Sequence, residues 1–403
     1  NRDELIEQTV SLMQEIYVFP EVAEKMADAI EQKNFRGEYN QITTLDELTQ
    51  RLTEDLQAIS HDKHLSIRSA PPPTPVPAGA PGPENGPHDH SRQLAAFRAS
   101  NFGFRSVQIL PGNIGYVDLR QFAPAEIAGP TAIAAMNFLA NSSAIIFDLR
   151  QNGGGHPSMI QLISSYLFEE RKHLNSFYIR REDKTEEFWT EESVSGPKMV
   201  NTPVYILTSA YTFSAAEEFT YNLKNMQRAT IVGETTGGGA HPVDMHVLAL
   251  GDGLYAQLSL PFGRAINPIT GTNWEGTGIE PHIATSADQA LEVAQLEILK
   301  TLSATAESDE QKFALNWARE ELEFKLQGDE IQHVKLHEYA GDYGQRRIFE
   351  KEGRLYYQRG DGPQLELEAM AKPDLFHTGK RDDFRVQFVR DAGGAVIALK
   401  GLY

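Results

Sequence analysis

Ser214 opens the run Ser214-Ala-Ala-Glu-Glu218, where a helical pattern begins shortly after the apolar stretch Val204–Thr208. A hydroxyl at the first turn of a helix that follows a buried parallel strand stands at the sheet edge where α/β proteins bind ligands. The unbonded N–H groups and the positive end of the helix dipole at that point stabilise an oxyanion beside the hydroxyl. The chemistry that suits such a position is nucleophilic acyl transfer. A plainer reading competes: serine is a preferred helix N-cap, and Glu217 three residues on completes a capping-box pattern.

A second segment with chemical potential is Asp148-Leu-Arg-Gln-Asn-Gly153-Gly154-Gly155-His156, between an apolar strand and a helix. Its glycines permit positive φ and close approach of backbone to a ligand. Their N–H groups suit an oxyanion or a phosphate equally, and a tight turn needs glycine too. The lysine and hydroxyl of a P-loop are missing, which disfavours a nucleotide.

A serine nucleophile needs a base and a group to orient it. Of the 12 histidines, His64 in Ser60-His-Asp-Lys-His64-Leu-Ser stands out, because it leads from a helical region into an alternating stretch. A lone histidine is more often structural or exposed. Glu275 lies in the turn-rich Asn273-Trp-Glu-Gly-Thr-Gly-Ile-Glu-Pro281, but spacing alone does not single it out among 56 acidic residues. His61 with His64, and His88 with His90, give no set of three ordered metal ligands, so neither metal nor cofactor is expected.

The elements that must position these residues read as follows. Residues 1–68 carry helical spacing (Leu5, Val10, Leu12, Met13, Ile16; then Val22 to Ile30), with a capping box at Thr44-Leu-Asp-Glu47. Residues 70–92 hold Pro71, Pro72, Pro73, Pro75, Pro77, Pro81, Pro83 and Pro87, a composition that builds no core and marks a linker or exposed loop. From about 103 to 295, strands alternate with helices. Strands are expected at 114–122, 143–150, 204–208 and 230–233, with helices between, the first starting at Pro124 or Pro130 and ending near Asn141. This is the pattern of an α/β sheet with parallel members. A further helix is expected over 305–325, then a small antiparallel β domain of short strands from 333 onward. The division is therefore 1–69 helical, 70–101 linker, 102–300 α/β core, and 301–403 helix plus β domain.

The chain has 403 residues, more than one ordinary core accommodates, and a formal net charge of −19. That surface repels phosphate backbones, so nucleic acid is not an expected partner. No apolar run approaches the ~18 residues of a membrane span. Cysteine is absent, which excludes disulfides, thiolate zinc sites and a cysteine nucleophile. The chain begins at Asn1 rather than Met, which suits a mature or a truncated product whose targeting segment is missing from this numbering, and the expectation is an extracytoplasmic setting, periplasmic or secreted.

Three ordered motifs, Asp148-Leu-Arg-Gln-Asn-Gly-Gly-Gly155, Thr208-Ser-Ala-Tyr-Thr-Phe-Ser-Ala-Ala-Glu-Glu218 and Gly233-Glu-Thr-Thr-Gly-Gly-Gly239, resemble those of the S41 peptidases over residues 1–295. That family includes the tail-specific (C-terminal processing) proteases, the tricorn core protease and the interphotoreceptor retinoid-binding protein repeats. The N-terminal helices ending in Asp62-Lys-His-Leu-Ser resemble the retinoid-binding-protein-like branch. The resemblance implies a ClpP/crotonase-like α/β core with an N-terminal helical domain, no PDZ module, and a peptide or unfolded protein as substrate. It implies Ser214 as nucleophile, with Gly153 or Gly154 and Ala215 supplying oxyanion N–H groups. The lysine base of the processing proteases is replaced by Gly239, so the tricorn-like pattern applies, with His64 as base and Glu275 as orienting acid. Tricorn carries a serine just before its histidine, where this chain has Lys63. The same branch also implies an alternative, a non-catalytic carrier of an apolar, retinoid- or fatty-acid-like ligand.

Overall fold

The structure is a computed structural model that describes residues 2–72, 94–327, 335–379 and 381–403. Most of the proline-rich segment, with His88 and His90, lies outside the described residues. The chain forms two compact units, Asn1–Leu291 and Glu292–Tyr403.

The first unit is built on a six-stranded sheet. Its members are β2 (Phe104–Leu110), β3 (Ile114–Leu119), β4 (Ala144–Asp148), β7 (Val204–Thr208), β8 (Ala229–Gly233) and β12 (Ile283–Ala284), in the order β12-β8-β7-β4-β3-β2. All neighbours pair parallel except the edge pair β2–β3. Every residue of β4 (Ala-Ile-Ile-Phe-Asp) and of β7 (Val-Tyr-Ile-Leu-Thr) is buried, as expected of strands covered on both faces. Helices α4 (Ala125–Phe138), α5 (Pro157–Ser165) and α6 (Ala215–Asn225) supply the cover; Met136, Ile160, Ile163, Phe219 and Leu223 join Ile145, Phe147 and Ile206 in one core. Helix α4 takes Pro124 as its N-cap and holds Pro130 inside.

The N-terminal helices α1 (Arg2–Ile16), α2 (Pro20–Phe35) and α3 (Leu45–Ser60) do not close a core among themselves. Leu5, Met13, Met26, Ile30, Leu52 and Leu56 share one with Leu248, Leu250, Leu258 and Leu260. These last belong to the antiparallel pair β9 (Val243–Ala249) and β10 (Tyr255–Pro261) and the turn joining it, and β1 (Ser66–Ala70) adds to β10 as a third strand. The helix cap at Thr44 forms as the sequence predicts, its hydroxyl accepting the Glu47 N–H at 3.3 Å. A second three-stranded sheet, β5 (His173–Ile179), β6 (Lys184–Trp189) and β11 (Gly263–Ile266), carries the loop to Glu275.

The second unit holds most of α7 (Ala290–Ala304), α8 (Asp309–Gln327) and a seven-stranded antiparallel meander over Gly341–Leu402 in sequential order. Arg385, fully buried, lies 3.8 Å from the centre of the Trp317 ring and reaches Glu320 and Glu321 at 3.0 Å each.

Candidate active site

Register brings the carboxyl ends of three parallel strands level. Asp148 pairs with Leu207 and Thr208 with Gly233, so the segments that follow emerge from one sheet edge. They are tied together there. Ser209 Oγ donates to Arg150 O at 2.6 Å, Thr212 Oγ1 to Leu149 O at 2.8 Å, Phe213 N to Asn152 O at 3.1 Å, and Gly237 N to Thr212 O at 2.9 Å.

Ser214 sits at this junction with φ 53° and ψ −123°. An ordinary N-cap residue is extended; a serine at positive φ is held in a sparsely populated conformation that the surroundings must enforce. Glu217 does the enforcing. Its carboxylate accepts the Ser214 N–H at 2.9 Å, the Thr236 hydroxyl at 2.5 Å, and the Gly238 and Gly239 N–H groups at 2.7 and 2.8 Å. Burial pushes the Glu217 carboxyl up, and those four donors pull it back.

The glycine run lies against the serine. A Cβ on Gly154 (φ 115°) would fall 2.7 Å from Ser214 Cβ and 3.0 Å from Ala215 N. The Gly154 N–H donates to Asn152 Oδ1 at 2.9 Å. Gly153 is exposed on the same turn, and so is the better placed of the two to offer an N–H to a ligand.

His64 comes from the turn after α3, where His61 ends the helix in a left-handed conformation, φ 56°. Its ring lies 4.6 Å from that of Phe213, the residue before Ser214. Gly239 leaves the room: a Cβ there would collide with the Phe213 ring and stand 2.6 Å from His64 Cε1. Burial lowers the His64 imidazole to about 4, against the pull of Asp62. His64 Nδ1 and Glu275 Oε1 are both buried without a hydrogen-bond partner. One ligand-type atom from each of Asp62, His64 and Glu275 lies within 4.8 Å of the others. Such a group has the donor types of a metal site, as does Glu321–His377–Asp382 in the second unit.

Glu275 is placed by its loop. Its N–H donates to Asn273 Oδ1 at 2.9 Å, its Oε2 accepts the Ala240 N–H at 2.5 Å, and the neighbouring Trp274 donates its indole N–H to Gly239 O at 2.8 Å. Burial and the charge of Asp62 push the Glu275 carboxyl up to about 7, with His241 opposing.

Four residues that sequence reasoning left without a role, Asp62, His241, Tyr17 and Lys63, complete the cluster. His241 Nδ1 lies 2.6 Å from Asp62 Oδ2 and 3.6 Å from Glu275 Oε2. Tyr17 donates to Asp62 Oδ2 at 3.2 Å, and Asp62 Oδ1 accepts the His64 N–H at 3.0 Å. Lys63, exposed, donates to Gly237 O at 2.5 Å and so braces the glycine loop. Asp62 was visible two residues before His64, and His241 two after Gly239; nothing in the sequence said that positions 62 and 241 meet.

An α/β core of this topology, with a strained serine at a helix start beside a glycine turn, defines a class of hydrolase-like scaffolds. The family model described as Peptidase family S41 matches residues 113–285, and that of the N-terminal domain of Peptidase_S41 in eukaryotic IRBP matches residues 1–96. The chain belongs to peptidase family S41, as its motifs indicated. Among solved structures it is similar to a putative peptidase from Parabacteroides merdae, at 18% identity over 76% of this chain and 99% of that one, TM-score 0.51. It is also similar to a lipoprotein from Streptococcus agalactiae (16% identity, 74% and 96% covered, TM-score 0.48) and to a putative S41 protease from Bacteroides fragilis (19%, 55% and 57%, TM-score 0.41). Among the described residues no helix is long and apolar enough to cross a membrane.

Proposed function

We propose that the protein is a serine peptidase that cleaves peptide bonds through an acyl-enzyme on Ser214, with His64 as base and Glu275 as the acid that orients it. The observation that carries this reading is the strained Ser214 backbone, pinned by Glu217 to the loop whose Gly239 makes room for His64. Strain of this kind at a helix start, beside a glycine turn, is the arrangement of a presented nucleophile.

In the proposed reaction His64 takes the Ser214 hydroxyl proton while Oγ bonds to the substrate carbonyl carbon. The N–H groups of Gly153 and Ala215 receive the oxyanion. The C–N bond then breaks, and the imidazolium returns its proton to the leaving amine. Water, deprotonated by the same imidazole, releases the acid product and restores the serine. Among the described residues no hydrogen bond joins Ser214 Oγ to His64, so the proposed reaction requires the two to close on each other as the peptide binds. On this reading residues 102–300 supply nucleophile and acid, and the 1–69 segment supplies the base. The setting is taken as extracytoplasmic, which cell fractionation tests.

Release of fluorescent peptides from labelled casein checks the assignment. Ser214→Ala should lower turnover by at least about 10³-fold with the fold intact; undiminished turnover removes Ser214 from the mechanism. The carrier reading takes its support from the IRBP-type N-terminal match, and predicts that both proteins are inert while a fluorescent retinoid binds tightly.

A further inference from the structure

The cluster around Glu275 holds two carboxylates, Asp62 and Glu275, with one imidazole nitrogen, His241 Nδ1, between them. Asp62 is 1% exposed and His241 4%. Asp62 uses both oxygens: Oδ1 takes the His64 backbone N–H, and Oδ2 takes the Tyr17 hydroxyl and His241 Nδ1. The same nitrogen, His241 Nδ1, also faces Glu275 Oε2 at 3.6 Å, close enough for charge to act though beyond a hydrogen bond; that oxygen already accepts the Ala240 N–H. Phe19 covers the imidazole, its ring 5.5 Å away and edge-on. The groups that face Glu275 are therefore Asp62, His241, His64 and, more distantly, Tyr17. Lys63, the nearest cation in sequence, spends its ammonium on Gly237 O.

Two carboxylates this close, out of water, repel each other strongly. Without a proton or a donor between them, one must become neutral. Burial raises Asp62 too, but its bonds from His241 hold it below the ordinary carboxylate range, so the strain falls on Glu275. An acid that is to stabilise an imidazolium must carry charge at the working pH.

We propose that His241 and Asp62 are positioning residues for the peptidase reaction: His241 bridges Asp62 and Glu275 and so sets the pH at which Glu275 becomes the charged partner of His64. The inference rests on the serine-peptidase reading above. Neither residue touches substrate; both act through Glu275, and Asp62 also through the His64 backbone.

The two residues push Glu275 in opposite directions, which makes the inference testable by sign. In the full chain, initial rates on labelled casein well below saturation give kcat/KM against pH. Ionisation of Glu275 should appear as an acid limb. His241→Gln removes the bridge and should move that limb up by about one pH unit or more; Asp62→Asn removes the repelling charge and should move it down by a similar amount. KM should stay within about threefold in both, since the site that holds peptide is untouched. Glu275→Gln should abolish the limb. Asp62→Asn is nearly isosteric, and His241→Gln keeps a polar side chain while removing the ring and its charge; either variant alone reads a direction. A merely structural role would lower the rate of both variants without opposite shifts; limbs that stay in place, or move together, overturn the proposal. Infrared titration of the protonated carboxyl band, with Glu275→Gln as the blank, reads the same two shifts without turnover. Opposite infrared shifts in a protein that cleaves nothing would uphold the positioning pair and sink the peptidase reading instead.

Discussion

Glu218, next to the carboxylate that pins Ser214, is only 3% exposed and has its Oε1 unpartnered. Burial pushes its carboxyl up to about 8, with Asn175 and Asn222 opposing. The folded state therefore holds a proton that the unfolded chain gives up near its ordinary value, and stability falls as pH rises between the two. Glu275, raised to about 7, acts in the same direction. His64, lowered to about 4, acts oppositely and costs stability as pH falls from its ordinary range towards that value. Glu218→Gln keeps the shape and stays neutral. It should flatten the decline in unfolding free energy between pH 5 and 8 by on the order of 2–4 kcal/mol, measured by denaturant titration at both pH values. An unchanged decline would place the titration elsewhere.

The elements that matter most at the site are loops, and their geometry is set by glycine. Gly239→Ala should force the Phe213 ring and His64 apart, destabilising the protein by about 1–3 kcal/mol and lowering kcat more than KM. Thermal unfolding and casein kinetics on the same preparation check both effects; a variant with unimpaired kcat would show that the Phe213–His64 contact is dispensable. The elements beneath the loops were legible in the sequence because β4 and β7 are five-residue runs closed to solvent, each followed by a glycine or hydroxyl-rich turn and a helix. The sheet of β5, β6 and β11 was not legible, because its exposed members, such as Lys-Thr-Glu-Glu-Phe-Trp of β6, carry little apolar pattern. Pro130 also misled by offering a second helix start; Pro124 takes that place, and Pro130 is held within the helix. Ser214, His64 and Glu275 could be named from motifs. The Asp62–His241 pair could not, since 179 residues separate its members and only the folded loops bring them together.

At the scale of the molecule, the first unit depends on its N-terminal helices. Leu248, Leu258 and Leu260 are at most 3% exposed, and their cover is Leu5, Met13, Leu52 and Leu56. A fragment of residues 102–300 alone would bare that face and lose His64 as well. It should lack a cooperative unfolding transition and a near-ultraviolet signature of fixed aromatic packing, with both regained when residues 1–101 are restored. A fragment that unfolds cooperatively would mean that the strand pair carries a core of its own. The C-terminal unit has a separate core around Tyr357, Phe376, Val386 and Phe388, so its removal is not expected to have this effect.

The claim on which the account turns is that Ser214 is a reactive hydroxyl. Treatment of the 403-residue chain with a fluorophosphonate, followed by peptide mapping, reads this directly. The account predicts one phosphonyl group per chain, on the peptide containing Phe213-Ser214-Ala215, and none on Ser214→Ala. A chain that stays unmodified while remaining folded, or that carries the adduct at another residue, would contradict it.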